Sequence, residues 1–231
     1  MNSARCFYTV CATTLISALV ILCFCLGSVF ATNDSNYDDN RLLITNVFSK
    51  AHVSGSLIRS STCKSDHVHR AHPLRVQEPH AIGSTLQIVR QMFAIYPKIV
   101  VTQDQDGIIR IVESGVPTDI LAIKIHHISF DDEHVEHDAS GPSFRGPNMA
   151  WSEIWQSPEV NTFLKEHHIG PNTLEIPANA SDSALPVVSG EVNDVTVSQA
   201  LDYILKFAPG YWVYENCTNE DGGREVFFWF Y

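Results

Sequence analysis

Histidine is the chemically capable residue that this chain uses most freely, with 11 in 231 residues. His67, His69 and His72 form one cluster, in the run His-Val-His-Arg-Ala-His. His126 and His127 open a second, which continues through Asp131, Asp132, Glu133, His134, Glu136, His137 and Asp138. Imidazole and carboxylate are zinc and copper ligands, and His134 with His137 could chelate if the local geometry allowed. The spacings match no closed metal motif. The reading is therefore a solvated acidic loop after a strand, with no metal or cofactor assigned. An exported zinc- or copper-binding protein stands as the alternative. His167 and His168 suit a helix end, where a partial positive charge meets the dipole.

Nucleophile signals are sparse. Ser61-Thr-Cys-Lys64 has the Ser-x-x-Lys spacing of some acyl-transfer enzymes, but it stands in a Ser-rich stretch without the companion motifs. No Gly-x-Ser-x-Gly elbow, phosphate loop, dinucleotide fingerprint or Cys-x-x-Cys occurs. The chain reads as non-catalytic. A hydrolase with a dispersed pair of carboxylates stands as the second alternative, since such pairs need not be close in sequence.

The surest feature is an uncharged apolar run from Cys6 to Ala31, preceded by Arg5. A positive start, an apolar centre and the small residues Val29 and Ala31 before Thr32 mark a signal peptide. The run is also long enough to span a bilayer as an uncleaved anchor. Either way the remainder works outside the cytoplasm, and a bacterial periplasm is the expected compartment. Leu22 and Phe24 precede Cys23 and Cys25 where a lipoprotein would need a small residue. Four of the six cysteines lie in the run, leaving Cys63 and Cys217. In an oxidising compartment these two could pair, and the bridge would contribute about 5 kcal/mol in the chain-entropy model. Two separate thiols are the other reading. Beyond residue 31 there are 14 Lys and Arg against 26 Asp and Glu. That balance disfavours nucleic acid and acidic lipid surfaces.

The elements that position these residues follow a repeat offset by 112 residues. Each copy opens with a capping box, Ser84 with Gln87 and Thr196 with Gln199, in which hydroxyl and amide satisfy backbone donors at a helix start. Ile88, Val89, Met92, Phe93 and Tyr96 match Ala200, Leu201, Ile204, Leu205 and Ala208 on one helix face. Both helices are expected to stop at a proline, Pro97 or Pro209. Strands follow at Ile99–Val101 and Tyr211–Val213, then Asp- and Gly-rich turns, then strands at Ile108–Val112 and Glu225–Phe230. Short preceding strands fit Leu74–Val76 and Val187–Val192. The fold class is α+β: two related helix–hairpin units, with helices packed on an antiparallel or mixed sheet.

The organisation reads as an export or anchor segment (1–31), a polar leader and irregular segment (32–80), a first unit with a following strand (81–130), an intervening region (131–185) and a second unit (186–231). Leu42, Leu43, Val47 and Phe48 suggest a short helix, and the chain from Ser60 onward reads as loop. A strand fits Asp119–Phe130, one or two helices fit Trp151–His168 with Pro158 in a first turn, and 169–186 reads as a polar linker. Asn33, Asn179 and Asn216 lie in glycosylation sequons. Tyr211, Trp212, Phe228, Trp229 and Phe230 are candidate interaction residues if their strands are partly exposed, and core residues if they are not.

The segment from Val188 through Val195-Thr196-Val197, Ala200, Leu201 and Leu205, running into Gly210-Tyr-Trp-Val-Tyr, resembles the secretin and TonB short N-terminal domain. The likeness covers about a fifth of the chain. It implies a strand, a helix and an aromatic strand, and a role in protein–protein contact in the bacterial envelope without chemistry of its own. Members usually precede a secretin pore or a TonB-dependent barrel, which this sequence does not contain.

Overall fold

A computed structural model describes residues 35–63, 69–70, 75–78, 83–130, 147–171, 187–219 and 222–231, with the side chains of 35–42, 62–63, 69–70, 147–149 and 170–171 excepted. Residues 39–231 form one compact unit. The apolar run at 6–31, residues 131–146 of the expected acidic loop, and His67, His72, His134 and His137 lie outside the described residues, as does the His69 side chain. Among the described residues, no helix is long and apolar enough to cross a membrane.

The first elements are α1 (Ser35–Ala51) and β1 (Gly55–Cys63), followed by the short β2 (His69–Arg70). The first repeat copy supplies α2 (Thr85–Met92), β3 (Ile99–Gln103) and β4 (Ile109–Glu113). A 3-10 turn at Asp119–Ala122 leads to β5 (Lys124–Phe130), then α3 (Pro147–Gln156), α4 (Pro158–Glu166) and β6 (Ile169–Pro171). The second copy is entered through β7 (Gly190–Thr196) and consists of α5 (Val197–Ile204), β8 (Tyr211–Thr218) and β9 (Arg224–Phe230).

Both expected capping boxes form. The Ser84 and Thr196 hydroxyls accept from the backbone N–H of Gln87 and Gln199, and the two glutamine side-chain oxygens accept from the backbone N–H of the cap residues. The copies keep their 112-residue offset at helix start, helix end and first-strand start. The helices end at Met92 and Ile204, a turn earlier than the prolines suggested.

The main sheet runs β3-β4-β1-β8-β9-β6, with β2 on β1. β1 pairs in parallel with both β4 and β8, so it joins the two hairpins. One sheet face, with Leu57, Val101, Ile109, Ile111, Tyr211 and Val213, packs on α1 and α2. The other, with Ile58, Trp212, Tyr214, Val226 and Phe228, packs on α5, α3, α4 and the separate β5–β7 pair. The two repeat helices therefore cover opposite faces. Equivalence between the copies holds along the chain but not across the sheet.

Several expectations change. Residues 60–63, the start of the stretch expected as loop, are instead the end of a central strand. Its polar Ser56, Arg59 and Ser61 are all buried, which hides it from a reading by apolar alternation. Residues 35–40 of the polar leader belong to α1. The strand expected from Asp119 starts at Lys124, because Ile120 and Leu121 enter the core through the 3-10 turn instead. Two helices occupy 147–166, with Pro158 in a first turn. The stretch after residue 168 opens with β6, which pairs with β9. Residues 75 and 76 are not in a strand, and the strand near Val192 is β7, which joins β5 rather than the main sheet.

Arg59 and Glu215 are register partners on β1 and β8 and form a buried ion pair between Arg59 Nε and Nη2 and Glu215 Oε1. A second ion pair ties β9 to the 3-10 turn: Arg224 grips Asp119 through both carboxylate oxygens, at 2.5 and 2.8 Å. Those hydrogen bonds hold the Asp119 carboxyl below its ordinary range, against the opposing effect of partial burial. A depressed carboxyl contributes stability above its ordinary pKa, and that stability is lost as pH falls through the folded-state value.

Two outcomes follow. Glu215→Ala leaves a buried guanidinium without this carboxylate and lowers unfolding free energy by about 3–5 kcal/mol, whereas Arg59→Met with Glu215→Leu recovers most of the loss; urea denaturation reads both. Arg224→Gln moves the Asp119 carboxyl back up toward its ordinary value, read by carboxyl NMR titration; an unmoved titration would contradict the assigned cause.

Candidate functional site

The residues singled out by chemistry do not converge. His126 Nδ1 lies 3.3 Å from Asp194 Oδ1, and His127 Nδ1 lies 2.8 Å from Asn193 Oδ1. Both rings are exposed, and they take separate partners on β7. Asp194 also meets Lys124 at 3.2 Å, and hydrogen bonds from His126 and then Lys124 hold its exposed carboxyl below the ordinary range. Among the described residues, no group of three or more His, Cys, Asp or Glu side chains is arranged to hold a metal ion. His167 stacks on Phe163 with ring centroids 3.9 Å apart, and its Nδ1 lies 3.0 Å from the Phe163 carbonyl at the end of α4.

Cys217 is buried and disulfide-bonded. Its register partner on β1 is Ser61, which places the backbone of Cys63 two residues further along the adjacent strand. Of the aromatic candidates, Tyr211, Trp212 and Phe228 are buried in the core, and Trp229 and Phe230 are half-buried. Asn216 is buried as well, which closes that sequon in the folded chain. With its oxygen turned to Arg224, it accepts from Nε at 2.6 Å and Nη2 at 2.9 Å. Asn33 and Asn179 lie outside the described residues.

The structure instead draws attention to the junction of the two copies. Arg110 stands on β4 of the first copy, one strand from β1 and two from β8. Its guanidinium reaches Asp202 on α5 of the second copy, at 2.8 Å to Oδ1 and 2.5 Å to Oδ2. It also holds Asp104 Oδ2 in its own hairpin turn, at 2.8 and 3.1 Å. Asp202 Oδ1 accepts from Trp212 Nε1 at 2.9 Å, and the Arg110 guanidinium lies 5.9 Å from the Trp212 ring centroid. Burial works against the Arg110 charge, but Asp202 and Asp104 outweigh it and hold the group more firmly protonated than usual.

Beside this junction opens a cleft of about 730 Å³. The first hairpin turn (103 and 106–108) and the β1 approach (52–54) form one wall, and β7 with α5 forms the other. Its polar lining is already partly committed. Asp202 is held by Arg110 and Trp212, and the Tyr203 hydroxyl donates to the Ser189 carbonyl at 3.0 Å. Gln103, Asn193 and Gln199 add amides that each already hold one internal partner, the Gly107 carbonyl, His127 Nδ1 and the Thr196 N–H respectively; Lys206 adds a cation over the Tyr203 ring, and Val192, Val195 and Leu205 add apolar surface. An amide engaged through one polar atom still carries the other, so this lining suits a polar chain such as a peptide backbone.

Sequence reasoning found the cap residue Gln199 but not Arg110 or Asp202 as a pair, because 92 residues separate them. One signal was present. Asp202 occupies the position that Arg90 holds in the first copy. A charge reversal at matched positions of a repeat marks where the copies take different partners.

No family model matches the chain, and no curated protein or solved structure matches it.

Asp202→Ala removes the carboxylate shared by Arg110 and the Trp212 indole. It lowers the unfolding free energy by about 2–4 kcal/mol and shifts tryptophan emission to longer wavelength; an unchanged denaturation midpoint would contradict the junction.

Proposed function

We propose that this is a non-catalytic extracytoplasmic protein that acts by protein–protein contact, taking an extended segment of an envelope partner into the cleft at the junction of its two units. The observation that carries this reading is the cleft itself. Its amide-bearing walls come from both copies, and the Arg110–Asp202 pair holds those walls together. Peptide recognition of this kind draws affinity from main-chain hydrogen bonds and specificity from apolar side-chain pockets. The acidic composition and the export-like run at residues 6–31 agree with it. So does the likeness of the second copy to the secretin and TonB short N-terminal domain, whose modules work by contact. That likeness supports a role and a compartment, and it leaves the partner to experiment.

A photo-crosslinking residue placed at Lys206, in the cleft, captures a defined adduct in the native envelope, whereas the same probe at exposed Glu191 does not. Asn193→Trp, which fills the cleft from β7, removes the adduct. Equal labelling at both positions, or an adduct indifferent to Asn193→Trp, would sink the proposal.

A further inference from the structure

β3 is the outermost strand at its end of the main sheet among the described residues. Its hydrogen-bonding directions follow from its neighbours. Ser114 N donates to the Lys98 carbonyl and Asp104 N donates to the Ile108 carbonyl, so the even-numbered backbone groups turn toward β4. Ile99 N donates back to the Tyr96 carbonyl, and the Val101 carbonyl accepts from Arg90 Nε at 3.0 Å, so the odd-numbered groups turn outward. The outward edge therefore offers the Ile99 carbonyl and the backbone groups of Val101 and Gln103.

Edge strands are commonly blunted by charges, prolines or bulges. The residues of β3, Ile-Val-Val-Thr-Gln, contain none of the charged types and no proline, and all five pair with β4 in unbroken register. Val100 is 52% exposed, and Ile95 nearby is 47% exposed. The charges sit at the two ends and have opposite sign. Lys98 precedes the strand, exposed and without an ion pair among the described residues, while Asp104 and the exposed Asp106 follow it. Asp104 is engaged by Arg110, so Asp106 supplies the uncommitted negative charge.

We infer that β3 is a self-association edge whose occupant is the β3 of a second copy, paired antiparallel about a two-fold axis at Val101. A two-fold contact must be self-complementary, and this edge meets that condition in both hydrogen bonding and charge. Centred on Val101, the two Val101 residues exchange N–H and carbonyl bonds, and the Ile99 carbonyl of each copy accepts from Gln103 N–H of the other. Val100 then faces Thr102 of the other copy. Lys98 of each copy meets the Asp104–Asp106 turn of the other, on the same side of the joined sheet. A parallel pairing would instead set Lys98 against Lys98. Arg90 covers the central acceptor in the single chain and competes with the pairing, which makes the association weak and reversible. Gln103 and Asp106 also line the cleft, whereas Lys98 and Arg90 do not, so variants at Lys98 and Arg90 separate self-association from cleft binding.

Sedimentation velocity of the purified full-length chain in non-ionic detergent tests it. The expected result is a monomer–dimer equilibrium with a dissociation constant on the order of 10–100 µM, in keeping with a small interface. Gln103→Pro removes an outward donor while sparing the β4 ladder, and abolishes the dimer. Lys98→Asp weakens it by about tenfold, and adding Asp106→Lys to that variant restores it. Arg90→Ala tightens it. Circular dichroism confirms that each variant is folded, and the exposed Lys98 and Asp106 decide the matter if Gln103→Pro does not fold. The inference is overturned if wild type and Arg90→Ala both stay monomeric up to about 1 mM. It is equally overturned by a dimer indifferent to Lys98→Asp, as association through residues 6–31 would be.

Discussion

Everything in the main sheet depends on β1 being hydrogen-bonded on both sides. It belongs to neither copy of the repeat, and it pairs in parallel with β4 of the first and β8 of the second. Each helix–hairpin unit alone has too little apolar surface for a stable core. Joined through β1, the two hairpins become neighbours in a single sheet with a core on each face. The position of β1 must then be specified. A slip of one residue would turn Leu57 and Ile58 each to the wrong face, and a slip of two would take Arg59 away from Glu215. The buried ion pair thus gives the central pairing its register, because either charge left behind in another alignment is costly.

A second consequence is that the sheet can carry helices on opposite faces from units with the same local pattern. α2 and α5 have the same length, the same cap and the same distance to the following strand. Yet α2 packs against Val101, Ile109 and Ile111, while α5 packs against Trp212 and Tyr214. The matched positions have diverged accordingly. Arg90 bonds a carbonyl on the open edge of its own hairpin, and Asp202 reaches across to Arg110 of the other copy. The cleft lies beside that crossing. It is therefore a product of the assembly and belongs to neither unit alone.

What could be read from the sequence was local. The capping boxes, the helix faces and the Asp–Gly hairpin turn are set by residues within one or two turns of each other, and the structure places them close to where the pattern does. β1 escaped because its signal is not local. Ser56, Arg59 and Ser61 look like loop residues until Glu215 and the neighbouring strands are supplied. The aromatic stretch at 226–231 was ambiguous for a related reason. Alternation shows which residues share a face, but Phe228 is buried through distant partners, with Trp151 and Trp155 of α3 and Tyr214 of β8 packed against it. The cleft was invisible for the same reason as its ion pair: its walls meet only when the two copies are placed on the sheet.

The most direct test of this account is amide hydrogen exchange along β1, followed by NMR under native conditions. If β1 is the shared central strand, its amides from Leu57 to Ser61 exchange as slowly as those of β8, at rates set by global unfolding, despite their polar side chains. If they exchange orders of magnitude faster than β8 through local opening, β1 is an edge or a loop, and the joining of the two units through it is wrong.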